Sequence, residues 1–284
     1  MLHPKKHLGQ HFLQDQNIAR KIVSSLTLKG YDDLLEIGPG TGFLTRFLLE
    51  IPCLSPACRT GRGRQASIRL WCSEIDNEFC DHLAGKFPSL AGKIIRGDFL
   101  KIDIKSLFDR NAFALIGNLP YNISTQIFFK VLEYKDRIPE AVFMVQKEVA
   151  ERVVSINGTK NYGITSVLVQ AFYRAEYLFT VSKNVFYPQP EVSSAVIRLS
   201  RKEEEFPVGQ YLFFEVVKRA FNQRRKMLRN SLEGVIMAKD KDKDKVKEML
   251  HSSLLQKRPE QISVQQFIEL TREIQKICYA GDKG

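Results

Sequence analysis

The sequence holds no run of 18 or more uncharged apolar residues, which excludes a membrane-spanning helix of ordinary length. Residues 1–10 carry Lys5 and Lys6 with no apolar segment behind them, so no secretory leader is read there and a soluble, cytoplasmic protein is expected. With 17 glycines and 11 prolines among 284 residues the chain is too poor in both for a collagen-like repeat, and at 44% hydrophobic it is too apolar for a disordered one. Cysteine is scarce and odd in number: Cys53, Cys58, Cys72, Cys80 and Cys278. Their spacings match no zinc pattern and a chain of this size needs no disulfides, so they are read as reduced thiols and no metal site is expected. Acids are outnumbered, 32 Asp and Glu against 43 Lys and Arg, for a net charge of +11. That surplus says nothing about fold but favours a nucleic acid or an acidic surface as partner. The length suits one larger and one smaller domain.

Apolar positions at helical spacing predict an opening helix within 15–26, behind a basic arm. Leu34 to Ile37 reads as a buried strand, Gly38 to Gly42 as a tight turn and Phe43 to Leu49 as a helix. Further strands are expected at Ile68–Cys72, Lys93–Ile95, Ala112–Ile116 and Ala141–Gln146. Helices are expected between and after them at Asn77–Lys86, Ser124–Leu132 and Lys147–Val154. This alternation indicates a doubly wound parallel sheet, whose ligands bind beyond the carboxyl ends of the strands. A helix at Gly163–Tyr173 and strands at Tyr177–Val181 and Ser194–Leu199 close a first domain at about residue 200. From 201 to 284 only helices are predicted: Gly209–Phe221, Arg224–Glu233, Lys245–Leu250 and Val264–Ile277. The alternating Lys and Asp of 239–245 nearly neutralise themselves and read as a solvated linker.

Glu36, Gly38, Gly40 and Gly42 form E-x-G-x-G-x-G directly after a strand. Glycines there let the chain turn tightly and a ligand approach without a side chain in the way. The spacing differs from the G-x-G-x-x-G that seats a pyrophosphate and suits a cofactor with an amino-acid moiety and no phosphate, S-adenosylmethionine. Glu74, at the end of the next strand, is placed to accept from ribose hydroxyls, and Asp98, at the end of the third, from an adenine amino group. Glu74 nevertheless lies 36 residues beyond Gly38, where about 20 is usual for such sheets. The intervening segment from Pro52 to Ser73 has no acid, four arginines (Arg59, Arg62, Arg64, Arg69) and three of the cysteines. It reads equally as a long loop with affinity for phosphates and as a stretch translated out of frame.

Asn118-Leu119-Pro120-Tyr121, at the end of the fourth strand, is the most specific feature. Methylating an exocyclic amine requires its lone pair to be turned out of conjugation and aimed at the methyl carbon. An Asn oxygen and the backbone carbonyl after it can accept from the amine, Pro stiffens the turn and an aromatic ring stacks on the base. Such a displacement runs mainly on proximity and alignment.

With these motifs the chain resembles the ribosomal RNA adenine N6,N6-dimethyltransferases, and among them the small-subunit (16S) enzymes. The resemblance extends over nearly the whole chain, through Lys6 to Leu13, Glu36 to Gly42, Glu74 to Asp76, Gly97-Asp98, Gly117 to Thr125, Phe186 to Val196 and Phe221 to Arg229. It implies an α/β fold, a Rossmann-like S-adenosylmethionine-dependent methyltransferase sheet in 1–200 with a small all-helical RNA-binding domain in 201–284. It implies that His11, Leu13, Glu36, Gly38, Gly40, Gly42, Glu74, Asp98 and Asn118 bind S-adenosylmethionine. His11 stands where many members carry Asn, which suggests a contact through its backbone. It further implies that Asn118, Leu119, Pro120 and Tyr121 form the catalytic turn, with Phe186 sandwiching the target adenine against Tyr121. The expected reaction puts two methyl groups on each of two adjacent adenines in the 3′-terminal hairpin of 16S rRNA, in a pre-assembled small ribosomal subunit, by a monomer. Loop bases of that kind can be splayed into a pocket.

Arg224, Arg225, Lys226 and Arg229, read as lying on one basic helix from Phe221 to Leu232, are expected to clamp rRNA phosphates, as are Lys5 and Lys6 of the arm. Two other readings share these motifs: a large-subunit rRNA methylase of the erythromycin-resistance type, and a non-catalytic ribosome-assembly factor. The segment Arg258 to Ser263 and the second domain favour the small-subunit enzyme over the first; the intact glycine and Asn-Leu-Pro-Tyr turns speak against the second.

Overall fold

The computed structural model describes residues 4–5, 9–51, 68–108, 111–237 and 249–280. Lys6, most of the acid-free stretch with Cys53, Cys58, Arg59, Arg62 and Arg64, and the Lys-Asp run of 239–245 lie outside the described residues, as does nearly all of the helix expected at 245–250. The chain forms two compact units, residues 1–150 with 174–201 and residues 151–173 with 202–284.

The first unit contains β1 (Phe12–Leu13), α1 (Gln16–Val23), β2 (Asp33–Ile37), α2 (Phe43–Leu49), β3 (Arg69–Glu74), α3 (Asn77–Lys86), β4 (Ile94–Arg96) and α4 (Ile104–Leu107). It continues through β5 (Phe113–Asn118), α5 (Ser124–Glu133), β6 (Glu140–Gln146) and the start of α6 (Lys147–Val154). After α7 (Ile164–Phe172) of the other unit come β7 (Tyr173–Val181), β8 (Phe186–Tyr187) and β9 (Ser194–Arg201). Seven strands make one sheet in the order β4-β3-β2-β5-β6-β9-β7. From β4 to β6 the neighbours run parallel, and β9 returns antiparallel to β6.

Parallel strands covered on both faces need apolar side chains on both. Phe113 to Ile116 and Ala141 to Val145 supply them, every one fully buried. Each fully buried large aliphatic or aromatic chain among them contributes roughly 1.5–3 kcal/mol to the driving force of the sheet. Register at the amino-terminal end of the strands, away from the crevice, is set by a polar device. Asp33 is fully buried opposite Arg69, and accepts from Arg69 Nε and Nη2 at 2.7 Å each and from Trp71 Nε1 at 2.8 Å. A bidentate pair of this kind fixes orientation as well as charge. Arg69, one of the arginines read as a phosphate ligand, therefore locks β2 to β3.

The order reverses between the neighbours β2 and β5, from which the chain winds to opposite sides of the sheet, so the crevice opens beyond their carboxyl ends. The elements that bound it are capped locally. Asp15 accepts from the backbone N–H groups of Asn17 and Ile18 to start α1, and Asp76 from that of Glu78 to start α3.

The second unit holds α7, α8 (Gln210–Asn222), α9 (Leu228–Met237) and α10 (Val264–Ala280). Phe172 joins Phe206 at 4.4 Å and Phe213 at 6.3 Å between ring centroids, and Phe221 joins Phe267 at 5.8 Å. Residues 151–173, read as part of the first domain, cluster here because α7 packs on α8 and α10 and Gly158 N–H donates to the Glu260 carbonyl at 2.7 Å. The basic helix expected at 221–232 is broken. α8 ends at Asn222, 223–227 turn, and the N–H groups of Leu228 and Arg229 donate to the carbonyls of Lys257 and Leu255 at 2.8 and 2.9 Å, which starts a new helix. Among the described residues no helix is long and apolar enough to cross a membrane.

Candidate functional site

A cavity of about 270 Å³ lies at the carboxyl ends of β2, β3, β4 and β5 and is closed on one side by 9–12 of the arm. Its walls bring together most of the residues singled out in the sequence: His11, Gly38, Gly40, Glu74, Asp98, Asn118, Leu119, Pro120 and Tyr121.

The glycine turn begins where Gly38 N–H donates to the Ser73 carbonyl at 2.9 Å, tying it to β3. Gly40 adopts φ +53°, a left-handed conformation disfavoured for other residues, and a Cβ there would stand 2.8 Å from Phe12 Cε1. The bare backbone lets the arm close on the turn. Gly42 starts α2 with φ +72°, but it faces Phe87 and Leu83 and does not line the cavity. Its part is in shaping the turn.

Glu74 is 3% exposed, with Oε2 accepting from Gly40 N–H and Oε1 from Asp76 N–H, both at 3.0 Å. Burial pushes its carboxyl above the usual range, and those two backbone donors pull against the shift. Each oxygen retains a lone pair, so the carboxylate can still take two hydroxyls of a ligand. Asp98, partly buried, accepts from Leu100 N–H at 3.0 Å through Oδ1.

Glu36 does not line the cavity. It is 1% exposed beneath the turn and accepts a 2.6 Å hydrogen bond from Thr45 Oγ1 of α2. Burial drives its carboxyl up to about 7, opposed by the Thr45 hydroxyl. Expected as a cofactor ligand, it instead ties turn and helix together from behind, because at this position the β2 side chain points away from the crevice. Leu13 and Phe186 are likewise displaced from their expected places. They face each other across the β1–β8 ribbon, 5% and 4% exposed in the core, and neither lines the cavity.

The Asn118–Tyr121 turn is held from three sides. Leu119 N–H donates to the Met144 carbonyl at 3.0 Å, the Tyr121 hydroxyl shares a 2.7 Å hydrogen bond with Ser194 Oγ, and Asn118 Nδ2 donates to the His11 carbonyl at 2.8 Å. Burial raises the Tyr121 phenol above its ordinary range. The ring of His11 lies 5.1 Å from that of Tyr121 at 31°, and its Nδ1 donates to the Pro188 carbonyl at 2.7 Å. A carbonyl only accepts, so this nitrogen carries the proton.

Several wall residues have no role read from the sequence: Phe12, Ile75 and Asn122, although they lie within the family-like segments, and Ser73, Phe99 and Gln126, which lie outside them. Phe12 could have been found as the neighbour of His11, and Ser73 as the residue before Glu74. Lys5 pairs with Asp76 at 2.6 Å and Glu78 at 3.6 Å, so the cation expected on rRNA phosphate pins the arm to the start of α3. In the second unit Arg224 donates to the Lys160 carbonyl at 2.9 Å and approaches Glu260 at 3.8 Å, whereas Arg225, Lys226 and Arg229 are exposed.

A model of the ribosomal RNA adenine dimethylase family matches residues 1–276. The chain is 50% identical over 272 residues to a ribosomal RNA small subunit methyltransferase A of Flavobacterium johnsoniae, covering 95% of both chains. It is 49% identical over 269 residues to the protein of that description in Cytophaga hutchinsonii, covering 94% and 95%. Among solved structures it resembles a dimethyladenosine transferase from Plasmodium falciparum, with a TM-score of 0.74 and 24% identity over 93% of this chain and 98% of that one. The 23S rRNA methyltransferase ErmE gives a TM-score of 0.60 and 26% identity over 93% and 99%.

Proposed function

The chain belongs to the ribosomal RNA adenine dimethylase family, and from that premise we propose that it dimethylates the N6 amino groups of two adjacent adenines in the 3′-terminal hairpin of 16S rRNA, with S-adenosylmethionine as methyl donor. It works as a monomer in the cytoplasm on a pre-assembled small subunit. Identity near 50% over almost the full length to small-subunit enzymes, against 26% to a 23S enzyme, favours this substrate over the large-subunit one.

The cavity fits the donor. Gly38 and Gly40 leave room for its amino-acid part, the Glu74 oxygens have lone pairs for ribose hydroxyls, Asp98 can accept from the adenine amino group, and a wall with two acids and, among the described residues, no Lys or Arg suits a cationic ligand without phosphate. When bound, S-adenosylmethionine supplies a methyl carbon on a sulfonium, and displacement leaves a neutral thioether.

The chain's own contribution is alignment. Asn118 presents Oδ1 to the target amine because its Nδ2 is committed to the His11 carbonyl, and this oriented amide is the observation that carries the reading. By accepting an N–H of the amine it turns the nitrogen lone pair out of the ring and toward the methyl carbon, and the methylated nitrogen, positively charged after the transfer, sheds an N–H proton to water. Tyr121, held by Ser194, offers a fixed face for the base. Pro120 stiffens the turn between them. Arg225, Lys226 and Arg229 contact RNA phosphates.

The test is methyl transfer to small subunits that lack the modification, with the modified bases mapped by primer-extension stops. Stops at two adjacent adenines near the 16S 3′ end are expected. Stops confined to large-subunit RNA, or no transfer at all, would overturn the assignment.

A further inference from the structure

The β1–β8 ribbon sets Phe12 opposite Tyr187 and Leu13 opposite Phe186. Residues directly opposed across an antiparallel pair project from the same face, and successive residues from opposite faces. Leu13 and Phe186 occupy the core face. Phe12 occupies the other, where it lines the cavity and meets Phe79 edge to face at 5.5 Å. Tyr187 therefore projects from the cavity face of the ribbon, yet it is 58% exposed and is not part of the cavity wall. It is a large aromatic ring left bare at the rim.

Its position relative to the catalytic turn is held by named contacts. The carbonyl of the next residue, Pro188, accepts from His11 Nδ1 at 2.7 Å, and the His11 ring packs on Tyr121. Six residues beyond Pro188, Ser194 holds the Tyr121 hydroxyl. Tyr121, His11 and the backbone at 187–188 thus form a continuous path from the cavity to the exposed ring.

We propose that Tyr187 is the stacking platform for the nucleotide adjoining the adenine held at the catalytic turn; this rests on the rRNA adenine reading above. Extruding a base into a pocket strips one face of its neighbour of its stacking partner. An exposed aromatic at the mouth of that pocket replaces the lost face, and aromatic stacking tolerates any base. Where the adjoining base is the second target adenine, the same ring keeps it beside the cavity that it must enter next. The interaction needs the ring and not the hydroxyl.

The test compares wild type, Tyr187→Ala and Tyr187→Phe on small subunits lacking the modification, with 2-aminopurine in place of the adjoining adenine. Tyr187→Ala is expected to raise KM about tenfold and to abolish the fluorescence quenching seen when wild type binds, and Tyr187→Phe to restore both. S-adenosylmethionine affinity, measured by calorimetry, stays at the wild-type value in both variants. Wild type that methylates small subunits while Tyr187→Ala keeps its KM and its quenching overturns this proposal alone. Loss of cofactor affinity in Tyr187→Ala also overturns it, since the ring would then belong to the cofactor wall. Wild type inactive on small subunits overturns the functional reading and this proposal together.

Discussion

Asn118 and His11 are joined by a 2.8 Å hydrogen bond from the Asn118 amide nitrogen to the His11 backbone carbonyl. A primary amide has one oxygen and one nitrogen, so committing the nitrogen decides which atom meets the target amine. The bond spans 107 residues of sequence and ties the arm to the turn proposed to align the amine. Asn118→Ala removes the acceptor, which acts most strongly as the amine pyramidalises. It should lower kcat by about 10²–10³-fold while RNA affinity changes by less than about threefold. Asn118→Asp keeps an acceptor but sets a carboxylate against the His11 carbonyl, and should be impaired almost as much. Single-turnover methyl transfer and equilibrium RNA binding separate the two effects; equal loss of both would make Asn118 a binding or folding element.

Glu36 gives the fold a pH dependence of unusual sign. Burial drives its carboxyl up to about 7, whereas an unfolded Glu titrates near about 4.3. Between those values the folded chain holds a proton that the unfolded chain has released, so this residue makes stability fall as pH rises through that window. Above about 7 both states are ionised and the deficit is complete. Glu36→Gln cannot ionise and its oxygen can still accept from Thr45. It should match wild type near pH 4 and exceed it at pH 8 by on the order of 3–4 kcal/mol. Thermal unfolding across pH 4–9 measures this, and parallel curves for the two proteins would show that Glu36 is not the group responsible.

Most of the sheet was legible because its signals are local. The apolar run from Leu34 to Ile37, the alternate glycines and the apolar stretch after them lead to β2 and to α2 at Phe43–Leu49, and polar residues mark where β3, β4 and β5 end. The rest depends on partners far along the chain. Two-residue strands have no periodicity, so β1 and β8 exist only through pairings of residues 173 and 175 positions apart, and with those pairings goes the burial of Leu13 and Phe186. The helices read at Gly209–Phe221 and Arg224–Glu233 leave a gap at 222–223, but Arg, Lys, Met and Leu are all good helix formers, so nothing local carries the break on to 227. The break follows from carbonyls at 255–257 capturing the N–H groups of Leu228 and Arg229. Glu36 and Lys5 were misplaced for a related reason: a charged residue in a motif invites a ligand, while Thr45 and Asp76 claimed them first.

The same distinction separates the cations of the second unit. Arg224 is engaged within the protein, donating to the Lys160 carbonyl and lying 3.8 Å from Glu260, a carboxylate with one buried oxygen that no hydrogen bond satisfies. Arg225 and Lys226 are exposed on the turn between α8 and α9. A cation that neutralises a phosphate releases a counterion, so each such contact adds about 0.7–0.9 to the slope of log affinity against log salt. Arg225→Ala with Lys226→Ala should therefore weaken rRNA binding at low salt and flatten the slope by about 1.5, with little change in Tm. Arg224→Ala should behave differently. It withdraws the nearest cation from a partly satisfied carboxylate and one of the ties between the 158–162 loop and Glu260, so Tm should fall by a few degrees while the salt slope changes by less than about half as much. Binding titrations between about 50 and 200 mM salt, paired with thermal unfolding, resolve the two classes. An unchanged slope in the Arg225 and Lys226 double variant would place the phosphate contacts elsewhere on the protein, and a full loss of slope with Arg224→Ala alone would mean that this arginine leaves Lys160 and Glu260 when RNA binds.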